Sequence, residues 1–217
     1  MHVDTRWASS MSGGYRKSAT ELVNLKPEVI LANGTPAVAP LLEATATIPI
    51  IFVSVIDPVG AGFVASLAQP GGNATGFTIY EYSMGGKWLE LLKEVAPHLT
   101  RAAVLRDPGV ASELGLFGAA QAVAPSVRME LTPVDVRDAG GIDRGVTGFA
   151  SLSNGGLIIT GSAAALGHRD LIVGLATRHR LPTIFPSRVY VTQGASSPMG
   201  LIKLIPIAAR PSTLTVF

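Results

Sequence analysis

The chain has no cysteine in its 217 residues. That excludes disulfides, thiolate zinc sites and a cysteine nucleophile, and it removes the usual clue to redox compartment. Long apolar runs are also missing: no stretch approaches the roughly 20 apolar residues that a membrane-spanning helix needs, so no membrane span is expected. The opening MHVDTRWASS lacks the charged and apolar regions of a secretory signal, and no signal peptide is read there. Lys and Arg number 17 against 15 Asp and Glu, a net charge of +2, and they are scattered. With no basic stripe to track phosphates, no nucleic-acid partner is expected. The chain carries no GxSxG elbow, P-loop, HExxH helix or dinucleotide fingerprint. Two of the four histidines, His168 and His179, lie among Arg169, Arg178 and Arg180, the pattern of a solvated basic helix end, so neither a metal site nor a cofactor is expected.

What is abundant is apolar: 47% of residues are hydrophobic and 15% charged, enough to bury a core. The apolar residues fall in a repeating order of short β-branched run, polar or glycine turn, and periodic stretch. Strands are predicted over residues 29–32, 49–54 and 74–78, the first two apolar enough to be buried. Pro27 stops a helix before the first. Thr35 as N-cap and Pro36 at the first helical position start a helix running to about residue 46, and a short helix is predicted over 63–67. Beyond residue 78, Met84, Trp88, Leu91, Leu92 and Val95 recur at helical spacing over 83–96. Strands at 102–105, 130–136, 157–160 and 183–185 then alternate with helices at 114–123, 142–150 and 164–179. Such alternation specifies an α/β fold with mostly parallel sheets. Residues 27–54 and 154–187 repeat one order of strand, polar turn, alanine-rich helix, proline and strand ending in serine. The repeat fits two lobes of similar topology, and equally two ordinary βαβ units.

In an open parallel sheet, ligands sit at the carboxyl ends of the strands beside helix N-termini, whose free amides favour anionic groups. The polar residues predicted there are Asn33, Gly34, Thr35, Ser54, Asp57 and Thr78 in the first half, and Asp107, Thr160, Ser162 and Ser187 in the second. Amides and hydroxyls suit a carboxylate, and carboxylates suit an amine. Singly, each reads as a turn former or cap; the shared edge is what makes them candidates.

The run PEVILANGTPAVAPLLEATATIPIIFVSVIDPVGAGFVASLAQPGGNATGFT resembles the ABC-transporter solute-binding proteins of the tryptophan/tyrosine type, and GGKWLELLKEVAPHLTRAAVLRDP and HRDLIVGLATRHRLPTIFP continue the likeness in register. The resemblance implies a periplasmic binding protein fold of the first type, with two Rossmann-like lobes closing on a small solute. It also implies periplasmic capture and delivery to an ABC permease, with no catalysis. The lobes would span residues 1–78 and 79–187, followed by a returning segment and an aberrant tail over 188–217. By matching position Asn33, Thr35, Ser54, Asp57 and Thr78 would line one lobe's face, and Asp107 and Ser162 the other's. The family's signal peptide and first strand and helix have no counterpart before VDTRWA, so the first lobe is expected to be incomplete. From about residue 195 the text departs from the family's closing strand and helix, as a shifted reading frame would produce, and no structure is assigned there. With these elements missing, weak or no solute binding is expected.

Two other readings are weighed. A flytrap-type sensing domain would carry a DNA-binding helix-turn-helix ahead of the lobes, and none is read. An α/β racemase or hydrolase would need a facing acid/base pair, for which Asp57 with Asp107 is the visible candidate.

Overall fold

A computed structural model describes residues 2–8, 13–187, 190 and 205–206, so the tail expected over 188–217 lies almost wholly outside the described residues. The chain divides into two compact units, the first running to Tyr82 and the second starting at Ser83.

In the first unit the apolar runs become strands β1 (Ile30–Asn33), β2 (Ile50–Ile56) and β3 (Ala74–Tyr80), parallel and in the order β1-β2-β3. Helices α1 (Gly14–Asn24) and α2 (Thr35–Ala44) supply Ala19, Val38 and Leu41 to a core shared with Ile30, Ala32, Ile50, Phe52, Val55 and Ala74. Strands β1 and β2 are not buried on both faces as expected. Ile30 and Ala32 point inward while Leu31 is 68% exposed, and Phe77 and Ile79 are also exposed. This parallel sheet keeps one face in solvent, an arrangement more usual for antiparallel sheets.

Gly34, with φ 86°, takes the N-cap position of α2, which places Thr35 rather than Pro36 at the first helical residue. The helix expected over 63–67 does not form. The glycines at 60, 62, 71 and 72 favour turns, and the backbone there bonds into them, Phe63 N donating to Pro58 O and Ala65 N to Pro70 O. Val64 still packs into the core. Asn73 holds this end of the sheet, its amide donating to the carbonyls of Thr45 (3.1 Å) and Ile48 (2.8 Å).

The second unit runs α3 (Met84–Val95), β4 (Arg101–Arg106), α4 (Ala111–Val123), β5 (Glu130–Asp135), α5 (Ala139–Ala150), β6 (Gly155–Ile159), α6 (Ala163–Gly167), α7 (Arg169–Arg178), β7 (Thr183–Phe185) and the two-residue β8 (Ile205–Pro206). All neighbours are parallel, in the order β5-β4-β6-β7-β8. Central β6 is buried at every residue, whereas edge strand β5 buries only Val134 and admits Pro133. The amphipathic spacing of α3 seats Trp88, Leu89 and Leu92 in the interior, each burial worth about 1.5–3 kcal/mol. Asp138 caps α5 by accepting from Gly141 N at 2.6 Å. The helix expected over 164–179 is two helices, because the chain leaves helical geometry at His168 (φ −102°, ψ 17°).

The strand order fixes where the chemistry can gather. The chain leaves β4 for β5 on one side, then returns to β6 on the other. The crevice at the carboxyl ends of β4 and β6 is therefore the topological switch point of this sheet.

Candidate functional site

In the first unit the candidate residues lie along the carboxyl edge of the sheet. Asn33 is exposed at the end of β1. Thr35 is buried, and its Oγ1 accepts from Ile56 N at 3.0 Å, tying the start of α2 to the end of β2. Ser54 and Asp57 both adopt positive φ (56° and 41°) where the β2–β3 register shifts. The other non-glycine residues in that region, Lys26, Arg128, Asn154 and Arg180, each follow a helix, where such geometry is ordinary. A left-handed pair at a bulge is held strain of the kind found at functional edges. Asp57 Oδ1 accepts from Gly60 N at 2.8 Å and Oδ2 from Tyr82 N at 3.4 Å. Gly60 has no room for a side chain, since a Cβ would lie 2.8 Å from both Asp57 Oδ2 and Tyr82 Cε2. Burial, and next the Asp57 charge, push the Tyr82 phenol up. The Thr78 hydroxyl lies 3.0 Å from Val55 O and 3.2 Å from Tyr80 O.

The second unit gathers a denser set at its switch point. Asp107, 5% exposed, repeats the first unit's device of an Asp-Pro turn, its Oδ1 accepting from Gly109 N at 2.8 Å. Ser162 caps α6 through Ala165 N at 3.1 Å, and buried Thr160 donates from Oγ1 to Leu105 O at 2.9 Å. Ser187 follows β7, half-buried.

Sequence reading missed Glu113, which starts inside α4 rather than ahead of it. It is fully buried, and its Oε2 accepts from Asp107 N at 2.5 Å. Its Oε1 is buried with no hydrogen bond of normal geometry, although the hydroxyls of Thr160 and Ser162 lie close enough to act on the carboxyl. Burial pushes Glu113 up to about 7, against the lowering effect of the Asp107 N–H and the two hydroxyls, and with a further rise from the Asp107 charge. Arg137, also missed, reaches Asp107 at 3.9 Å while its main partner is Asp135 at 2.6 Å. That hydrogen bond holds the Asp135 carboxyl below its ordinary value. An open depression lined by Thr100, Arg101, Pro125, Arg128, Met129 and Glu130 lies at the opposite, amino edge of this sheet, away from the helix N-termini.

Asp57 and Asp107 belong to different units, and each carboxylate is engaged by a glycine amide of its own turn. Among the described residues no group of three or more His, Asp or Glu could hold a metal ion.

Comparison with known proteins agrees with this architecture. A curated tyrosine-binding protein of Clostridioides difficile is 40% identical over 87 residues, which is 40% of this chain and 25% of that protein. A solved conserved domain protein of Vibrio cholerae superposes with a TM-score of 0.74 at 26% identity, over 83% of this chain and 60% of that one. A Streptococcus pneumoniae ABC domain solved with L-Trp has a TM-score of 0.71 at 21% identity, over 82% of this chain and 59% of that one, a likeness of fold. The chain thus spans a quarter of the curated relative and about three-fifths of the solved ones. The model of ABC transporter substrate binding proteins matches residues 7–203, nearly the whole chain, and the chain belongs to that family.

Proposed function

We propose that the chain is the solute-capturing component of an ABC importer, taking an amino acid or related aromatic acid with groups at the carboxyl edges of its sheets. The observation that carries this reading is the switch point of the second unit. Asp107, Ser112, Glu113, Thr160 and Ser162, most of the buried polar side chains described, all cluster there. Burying so many polar groups at one sheet edge is costly unless they serve a ligand or one another. The left-handed pair Ser54 and Asp57 marks the matching edge of the first unit. The names of the relatives, tyrosine-binding and bound to L-Trp, indicate the solute class. Asn33, Gly34, Thr35, Thr78 and Ser187 would complete the edges, with Thr35 acting through its bond to Ile56. Capture would take place outside the cytoplasmic membrane, with delivery to a permease and no covalent step.

Titration calorimetry with L-tyrosine, L-tryptophan and benzoate tests the reading. Weak but saturable binding of one of them is expected, and Asp107→Asn should lower it further by about tenfold, the loss of a charge-assisted contact. A folded protein that binds none of the three would overturn the proposal.

A further inference from the structure

We propose that Glu113 is a positioning residue of the solute site: a neutral carboxyl that clasps the β4–α4 turn to the β6–α6 turn, so that Asp107 and Ser162 are presented from one rigid edge. This rests on the reading of the switch point as the solute site.

The case starts from a donor count. Thr160 has one hydroxyl proton, and it goes to Leu105 O at 2.9 Å. Towards Glu113, therefore, Thr160 Oγ1 can only accept. Ser162 Oγ accepts from Ala165 N and keeps its own proton to give. On the other side the Asp107 N–H is already directed at Glu113 Oε2. An ionised Glu113, which only accepts, could take the Ser162 proton but none from Thr160, and would keep its charge buried beside the carboxylate of Asp107. A neutral one still accepts from Asp107 N–H at Oε2 and gains a proton on Oε1 that it can give to Thr160, whose own proton is spent, so that the buried groups would be satisfied together.

The charges around it agree. Asp107, from the β4–α4 turn, is the charged group acting on Glu113, and it opposes ionisation. Arg137, from the β5–α5 connection, is spent on Asp135 and comes only within 3.9 Å of Asp107. Arg106 stacks its guanidinium over Phe117, 4.9 Å from the ring centre, further along α4. From the β6–α6 side come two neutral hydroxyls. Solute binding should consequently weaken as pH rises through about 7, where the clasp loses its proton.

Two measurements on the full chain decide it. NMR of the Asp107 amide from about pH 5 to about pH 8.5 should show one titration in the wild type that is absent in Glu113→Gln. Calorimetry with L-tryptophan, zwitterionic throughout this range, should show about a fivefold or greater loss of affinity from pH 5.5 to pH 8. Glu113→Gln, whose amide accepts from Asp107 and donates to Thr160 at any pH, should keep the low-pH affinity at both. Glu113→Ala should bind weakly at both, and if it does not fold the glutamine variant carries the test. An Asp107 amide that does not titrate overturns the clasp. A titrating amide with pH-independent affinity, or a pH response shared by Glu113→Gln, overturns the positioning role. If the wild type binds no tryptophan, tyrosine or benzoate at any pH, the solute site itself fails and the role falls with it, whatever the amide does.

Discussion

Glu113→Gln should abolish a pH dependence of stability built into the second unit. Folding raises this carboxyl from an ordinary 4.5 to about 7, so over that interval the folded chain holds a proton that the unfolded chain has released. The sign follows: the contribution to stability is greatest below 4.5, falls as pH rises, and is gone above about 7. At 1.36 kcal/mol per pH unit, the 2.5 units between 4.5 and 7 amount to about 3 kcal/mol, an upper figure that local relaxation will reduce. That is a large share of the roughly 5–15 kcal/mol available to a folded domain. Asp135 works the other way, since its lowered carboxyl contributes stability that is lost only as pH falls below its ordinary 3.8, outside the Glu113 window. Urea unfolding of wild type and variant at about pH 5 and about pH 8 isolates the group. With slopes of about 1–3 kcal/mol per molar urea, the wild-type midpoint should drop by about 1 M or more relative to the variant. Midpoints that move in parallel would refute the reasoning.

Gly85→Ala should destabilise the second unit by about 1–3 kcal/mol, because its Cβ would overlap the Leu116 carbonyl oxygen and force α3 from α4. Gly86→Ala, whose Cβ meets the movable Val123 Cγ2, should cost less, and thermal melts of the pair report the difference. Thr35→Val keeps shape but removes the acceptor for Ile56 N, so about 1–3 kcal/mol should be lost in urea titrations.

The alternation of apolar runs and helical spacings was sufficient for the parallel sheets, because those patterns answer directly to burial. Where glycine and proline set the backbone, the reading went astray. The 63–67 segment has helical apolar spacing yet is drawn into turns by the glycines around it, and its Val64 reaches the core without a helix. His168 breaks a stretch whose periodicity carried on through it. The edge residues Asp107 and Ser162 were legible from the strand-end rule alone. Glu113 was not, because the apolar spacing that marks α4 begins at Leu114, and a carboxylate ahead of it reads as solvated. A glutamate in the first turn after an Asp-Pro-Gly corner was the available signal, but its burial depends on β6 lying beside β4, which is a matter of topology. The left-handed Ser54 had no local signal, since serine does not favour such geometry, whereas Asp57, ahead of Pro58, is a residue type that tolerates it.

That left-handed pair at the end of β2 has an energetic consequence for a protein in the proposed role. Two residues in a sparsely populated conformation each carry about 1–3 kcal/mol of conformational cost. Because the cost is incurred as the chain folds, an arriving solute meets a corner already in shape and has less disorder to remove. Thermostabilising this edge by relaxing it with glycine would then trade affinity for fold stability.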